Sequence, residues 1–129
     1  MTFLCGKEIN IRLKPGIYLC EAESATGKTY LYKMLLGLHS HPEVICITYD
    51  TVELIADFET LLISRKAKLV ILDRYDMYAG RFDDTIEKYR DDIIFIIDYK
   101  QGCSLNRYAK SCYVELSKDK LEVIDCDDF

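Results

Sequence analysis

Four short runs of apolar residues most constrain what this chain can fold into. The runs are rich in β-branched side chains and are bounded by polar or small residues, which is typical of strands buried on both faces. They predict strands over residues 16–21, 44–49, 68–73 and 93–97. Because segments long enough for helices separate them, the pattern predicts an α/β fold with a mainly parallel sheet and helices on both faces.

Three segments between these strands have the apolar spacing of amphipathic helices. The predicted helices cover residues 28–38, 51–64 and 83–90. Asp50 and Glu53 have the spacing of an N-cap and its capping-box partner, so the second helix is expected to begin there.

The two ends of the chain carry further strand patterns. Residues 2–4 and 8–13 flank a turn signal and predict an N-terminal antiparallel ribbon. Residues 108–116 and 120–124 predict a C-terminal β-hairpin. Since the chain has 129 residues and no repeat or linker-like segment, residues 1–129 are expected to form a single domain.

A loop of small residues follows the first predicted strand and leads into the first predicted helix. Such a loop lets consecutive backbone N–H groups surround phosphate oxygens, and the helix N-terminus adds further unpaired N–H groups. Lys28 would contact the β- and γ-phosphates of a nucleotide, and the Thr29 hydroxyl would coordinate Mg²⁺. The predicted nucleotide-binding residues are Ala22, Glu23, Ser24, Ala25, Thr26, Gly27, Lys28, Thr29 and Tyr30. The alternative is an ordinary strand–turn–helix connection with a surface lysine.

Two acidic residues end the third and fourth predicted strands. Asp73 closes the third, and Asp98 directly follows the fourth. Ligands of parallel sheets bind outside the carboxyl ends of the strands. We therefore expect both carboxylates to lie near the loop that follows residue 21.

With these features the chain resembles the P-loop NTPase superfamily, in its RecA, AAA+ and ABC-type branch. Residues 22–29 resemble a relaxed Walker A loop, in which Ala22 replaces a glycine, and residues 68–73 resemble a Walker B strand. The resemblance implies a three-layer P-loop NTPase-like fold. It also implies ATP as the ligand and Asp73 as the partner of Thr29 in holding Mg²⁺.

The same resemblance implies catalytic roles, with Lys28 on the transferred phosphate and Asp98 at the sensor position. Many members place a catalytic Glu after the Walker B Asp, where this chain has Arg74. A water-activating base would therefore have to be Asp76, our candidate, or else Asp50 or Glu23. A missing arginine finger alone costs about 10³–10⁵ in rate, so weak ATPase activity is expected.

Two other functions remain open. A degenerate P-loop fold could act as a protein-interaction or inhibitory module without turnover. A small-molecule or nucleotide kinase ranks third, because no basic lid is evident. A protein partner or a second copy of the chain could complete the nucleotide-binding site.

Composition narrows the class of partner and the compartment. The formal net charge of −5 makes a nucleic-acid partner unlikely, because phosphate backbones require clustered Lys and Arg. The six cysteines form no CxxC pair, which favours a reducing compartment over a zinc site or a disulfide framework. No apolar run reaches the length of a membrane span, so a cytoplasmic protein without a membrane partner is expected.

Overall fold

Strands dominate the structure, a computed structural model that describes residues 1–5, 7–20, 33, 37–78, 80–98, 105, 108–116 and 119–126. Eight strands form one sheet. They are β1 (Thr2–Cys5), β2 (Lys7–Arg12), β3 (Gly16–Cys20), β4 (Val44–Ile47), β5 (Leu69–Leu72), β6 (Ile94–Ile97), β7 (Ala109–Leu116) and β8 (Lys120–Asp125).

The sheet is mixed and curls into a half-barrel. Its order is β1-β2-β8-β7-β3-β6-β5-β4. Strands β4, β5, β6, β3 and β7 run parallel to one another. Strand β8 is antiparallel to β7, β2 is parallel to β8, and β1 returns antiparallel to β2. Strands from both ends of the chain thus extend the central parallel strands.

The core lies on both faces of this sheet. Every residue of β5 is buried, and its successive side chains belong alternately to two hydrophobic clusters. Val70 and Leu72 pack in one cluster, whereas Leu69 and Ile71 pack in the other. Each fully buried Leu or Ile side chain stabilises the fold by about 1.5–3 kcal/mol. The continuous apolar runs of β5 and β6 gain this stabilisation on both faces only as central strands.

In the part of the chain that the structure describes, two short α-helices cover one face. Helix α1 (Phe58–Ser64) has 7 residues and α2 (Asp83–Lys88) has 6 residues. Both contribute buried side chains to the cluster that contains Val70. On the other face, Leu38, in the 3₁₀ turn Gly37–Ser40, packs against side chains of the strands.

The expected three-layer α/β fold, P-loop NTPase-like with a mainly parallel sheet and helices on both faces, is wrong. The protein is mostly β, with a mixed eight-stranded sheet, and both described α-helices lie on one face. The sequence pattern missed this because strands from both ends of the chain join the same sheet as the four central runs. The predicted helix over 28–38 lies largely outside the described residues, and its last described part is a 3₁₀ turn.

The predicted helix over 51–64 is wrong in its first half. A 3₁₀ turn spans Val52–Leu54, the chain is extended at the next residue, and α1 begins after Asp57. The Asp57 carboxylate accepts a hydrogen bond from the Thr60 backbone N–H at 3.2 Å, which is N-cap geometry. The apolar spacing continues across the extended residue Ile55, so it does not indicate that the helix is interrupted there. The N-cap is Asp57 and not Asp50.

Arg65, the residue after α1, covers the open side of the edge strand β4. Its guanidinium donates to the carbonyls of Pro42 at 3.0 Å, His41 at 3.0 Å and Val44 at 3.1 Å. Covered edges are protected against pairing with another chain. The same three bonds tie the end of α1 to the start of β4.

Among the described residues, no helix has both the length and the apolar character needed to cross a membrane.

We expect Arg65→Ala to lower the free energy of unfolding by about 1.5–3 kcal/mol, because backbone carbonyls at the sheet edge lose a charged donor. Urea denaturation followed by circular dichroism measures this change. Arg12→Ala is the control, since Arg12 forms an ion pair with Glu122 at 3.3 Å and its own side chain is 61% exposed. Exposed pairs contribute about 0–1 kcal/mol. Equal losses in the two variants would contradict the role of Arg65.

Candidate functional site

The carboxyl ends of β3, β5 and β6 meet at one edge of the sheet. The register aligns Leu19 with Ile97 across β3 and β6, and Leu72 with Ile97 across β5 and β6. Asp73 and Asp98 directly follow these positions, and the Asp98 N–H donates to the Leu72 carbonyl at 2.9 Å. The two acidic residues therefore lie at the edge where β3 also ends.

The chain turns sharply after Asp73. Arg74 has the left-handed conformation, with φ 52° and ψ 47°, and a 3₁₀ turn follows over Tyr75–Met77. The Tyr75 N–H donates to the Asp98 carbonyl at 2.8 Å, which attaches this turn to the end of β6. We call residues 73–78 the acidic turn.

Tyr78 closes the acidic turn from the buried side. Its hydroxyl lies 2.6 Å from the Asp73 carbonyl and 3.2 Å from the Ile47 carbonyl, so its one hydrogen is donated to this pair of acceptors. Burial raises the pKa of Tyr78, and the charges of Asp73, Asp98 and Asp76 raise the pKa further. The hydroxyl therefore remains protonated, as a donor, at neutral pH.

A cluster of aromatic side chains packs against the buried side of the acidic turn. Tyr75 and Tyr78 meet edge to face with ring centroids 5.3 Å apart, and Phe82 packs on Phe58 at 4.4 Å. The Tyr75 hydroxyl donates to the Asp83 carboxylate and accepts from the Phe82 N–H at 3.1 Å. These contacts hold the turn against α1 and the start of α2.

The structure brings together three of the predicted site residues. Asp73, Asp76 and Asp98 all act electrostatically on the Tyr78 hydroxyl. Asp98 is buried, whereas Asp73 and Asp76 are half-buried. The carboxylate of Asp76 lies 3.5 Å from the Arg74 guanidinium, so the candidate base already has a cationic neighbour.

The predicted nucleotide-binding segment lies outside the described residues. Lys28, Thr29 and the rest of residues 22–30 are all outside the part of the chain that the structure describes. The structure therefore does not test their assignment to phosphate and Mg²⁺, and these roles stay predictions.

The acidic residues at this edge are chemically suited to Mg²⁺. No group of three or more His, Cys, Asp or Glu side chains that could hold a metal occurs among the residues the structure describes. Mg²⁺ is commonly held by one or two carboxylates together with phosphate oxygens and water. Asp73 thus fits as one carboxylate ligand of a nucleotide-bound ion.

Sequence reasoning did not identify the partners of the Tyr75 and Tyr78 hydroxyls. Tyr75 is fully buried and Tyr78 is 7% exposed, so both are core residues with a polar tip. Their hydroxyls bond to protein groups within the acidic turn and beside it. The signal available in the sequence was that Tyr75 and Tyr78 stand three residues apart, shortly after a buried strand.

A concave surface away from the acidic turn lies beside α1. A cavity of about 290 Å³ is formed by Leu54, Ile55, Ala56, Asp57, Thr60, Leu61 and Ser64. Leu54 is 82% exposed and Ile63, on the same helix, is 60% exposed. We call this feature the α1 groove.

No family model, curated protein or solved structure matches this chain. The resemblance to the P-loop NTPase superfamily is wrong, because the strand-rich mixed sheet, with the short helices α1 and α2 among the described residues, does not fit the three-layer fold of that superfamily.

The N-cap of α1 gives a testable dependence of stability on pH. Hydrogen bonds from the Thr60 backbone N–H lower the pKa of Asp57 below its unfolded value. The stabilisation is therefore complete above the unfolded pKa of about 3.9 and is lost as pH falls through the folded pKa. Asp57→Asn keeps an acceptor but does not titrate, so its melting temperature should fall less than that of the wild type between pH 5 and pH 3.

Differential scanning calorimetry across this pH range measures the difference. Asp57→Ala is the control, because it removes the cap and should lower the melting temperature already at pH 7. An acid dependence of Asp57→Asn equal to that of the wild type would contradict the assignment.

Proposed function

We propose that this protein binds Mg²⁺-ATP at the edge where β3, β5 and β6 end, and that it is a weak ATPase. One observation carries the proposal: the strand register places Asp73 and Asp98 at the same edge as Cys20. Cys20 is the last residue of β3 and stands two positions before the segment with the phosphate-binding pattern. The proposal rests on these residues and not on membership of a known superfamily.

Each residue has a role that its chemistry suits. The backbone N–H groups of residues 22–29 and the Lys28 ammonium would bind the phosphates. Thr29 and Asp73 would hold Mg²⁺, which neutralises charge on the phosphate oxygens. Asp98 would face the terminal phosphate as a polar neighbour.

The same residues account for a slow reaction. The carboxylate of Asp76 would orient the attacking water, but it shares the acidic turn with the Arg74 guanidinium at 3.5 Å. Phosphoryl transfer depends on positioning and charge stabilisation, and weak activity follows where a trans-acting arginine is missing. A protein partner or a second copy of the chain would complete such a site.

A cytoplasmic location is part of the proposal. The six cysteines form no CxxC pair, a pattern that favours a reducing compartment over a disulfide framework. Cys46 is half-buried in β4, and burial raises the pKa of its thiol to about 12.

Mg²⁺-ATP should raise the melting temperature of the wild type. At an ATP concentration of 100 times the dissociation constant the stabilisation is about 2.7 kcal/mol, which corresponds to a shift of roughly 5–15 °C. Lys28→Ala should remove the shift, and Asp73→Asn should remove only the part that depends on Mg²⁺. Scanning fluorimetry with ATP, in Mg²⁺ and in EDTA, measures both.

Lys33→Ala is the matched control, since Lys33 is an exposed helical residue five positions from Lys28. It should retain the full shift. If folded wild-type protein shows no shift at millimolar Mg²⁺-ATP, nucleotide binding is ruled out.

The α1 groove favours a second candidate function, in which the protein is an interaction module. The cavity of about 290 Å³ is large enough for one large apolar side chain, and Leu54, one of its lining residues, is 82% exposed. The occupant would be a peptide segment of a partner protein that inserts a Leu, Phe or Met side chain.

Selection of peptides from a displayed random library tests this second function. Peptides with one large apolar anchor should be enriched on the wild type and on Lys28→Ala, but not on Leu54→Glu, which places a charge at the groove. Leu4→Glu is the control, because Leu4 is 79% exposed on β1 and does not line the groove. Equal enrichment on Leu54→Glu and Leu4→Glu would eliminate the groove as the binding site.

A further inference from the structure

The two edges of the sheet differ in their protection. At one edge, the start of β4 is covered by Arg65, whose guanidinium bonds to three backbone carbonyls there. At the other edge β1 is the outermost strand, and none of the described strands pairs with its outer side. The residues of β1, Thr2–Cys5, carry no charge and no proline. Charges and prolines are common means of preventing an edge strand from pairing with another chain.

The hydrogen bonds of Met1 determine which backbone groups of β1 face outward. The Met1 nitrogen donates to the Ile11 carbonyl at 3.0 Å, and the Ile11 N–H donates to the Met1 carbonyl at 2.7 Å. These two residues are therefore a hydrogen-bonded pair, and such pairs alternate along an antiparallel ladder. Phe3 is thus also bonded to β2. The N–H and C=O groups of Thr2 and Leu4 point the other way, toward the open edge.

The side chains of β1 keep this open edge accessible and in place. Phe3 is buried in the same cluster as Leu38, and its ring meets the His41 ring edge to face with centroids 4.9 Å apart. Thr2 and Leu4 lie on the opposite face of the strand, where Thr2 is exposed and Leu4 is 79% exposed. Because Phe3 anchors β1 to the core, the outward groups are positioned before any partner binds.

We propose that a second copy of the chain pairs with β1 antiparallel, so that the two sheets join across a two-fold axis at Phe3. In this register Thr2 of each copy lies opposite Leu4 of the other and exchanges both backbone bonds with it. All outward N–H and C=O groups of Thr2 and Leu4 are then paired in both copies. The edge is thus complementary to itself, as a two-fold interface requires.

Charge and edge protection favour a closed dimer of identical chains. Although the formal net charge of the chain is −5, β1 is uncharged, so two copies meet without like charges at the axis. Pairing of β1 with β4 of another copy would build an open filament. Arg65 opposes that arrangement, because it occupies carbonyls at the start of β4. An edge of 4 residues buries less than the about 1,200–2,000 Å² of stable interfaces, so the dimer is expected to be weak.

This dimer is independent of the proposed binding of Mg²⁺-ATP. Strands β2, β8 and β7 lie between β1 and β3, so the two-fold axis is remote from the edge where β3, β5 and β6 end. The α1 groove also stays open in the dimer, because α1 packs with the strands on the β4 side of the sheet. Failure of nucleotide binding would therefore leave the dimer untouched, and the reverse also holds.

Leu4→Pro tests the pairing, because it removes an outward N–H and leaves the bonds between β1 and β2 in place. Sedimentation velocity of the full chain under reducing conditions, at micromolar and at millimolar concentration, measures the association. We expect the wild type to change from monomer to dimer over this range and Leu4→Pro to stay monomeric. Leu4→Ala is the matched control, since it keeps the N–H. It should still dimerise, with a dissociation constant raised by about 2–30-fold through the loss of two cross-strand side-chain contacts.

Hydrogen exchange of single backbone amides, followed by NMR on the wild type, tests the register without any substitution. The amides of Thr2 and Leu4 should exchange rapidly at micromolar concentration and gain protection at millimolar concentration. The Phe3 amide should be equally protected at both, because it is bonded within the monomer.

Three results would overturn the proposal. The first is a wild type that stays monomeric at millimolar concentration, or a dimer in which the Thr2 and Leu4 amides remain unprotected. The second is equal association of Leu4→Pro and Leu4→Ala. The third is protection of these amides only when a peptide selected from the displayed library is added, which would assign the edge to a foreign strand.

Discussion

The structure depends on burying both faces of the central strands. All residues of β5 and β6 are buried, and their alternate side chains enter two separate clusters. A strand with apolar side chains on both faces is stable only when a second layer covers each face. On one face α1 and α2 supply that layer, and on the other face Leu38 of the 3₁₀ turn packs against the strands. The remaining strands extend a sheet whose centre is already fixed.

This burial also determines where polar groups can lie. Side chains within β5 and β6 are enclosed, so a carboxylate can reach solvent only beyond the strand ends. Asp73 is half-buried at such an end, whereas Asp98, directly after β6, stays buried. Two tyrosines of the acidic turn bind the backbone carbonyls of these acids: the Tyr75 N–H donates to Asp98, and the Tyr78 hydroxyl donates to Asp73. A buried tyrosine at a strand end thus joins core packing to the geometry of the candidate site.

Sequence patterns located the strands better than the helices. The predicted strands over 44–49, 68–73 and 93–97 overlap the observed β4, β5 and β6, because a short apolar β-branched run has few other stable conformations. The predicted helix over 51–64 failed in its first half, since apolar spacing persisted across the break before Asp57. The fold class failed because pairing between β2 and β8, residues far apart in the chain, leaves no local signal.

The sequence by itself determined that short apolar strands are followed by acidic residues, because neighbouring positions in the chain are enough to recognise this pattern. It could not determine the order of eight strands, because parallel pairing joins segments with no turn between them. The tertiary structure alone decided that Tyr78 lies with Asp73 and Asp98 at one edge of the sheet. The physical reason is that strand register and the bonds across it, such as that from the Asp98 N–H to the Leu72 carbonyl, arise only when the sheet assembles.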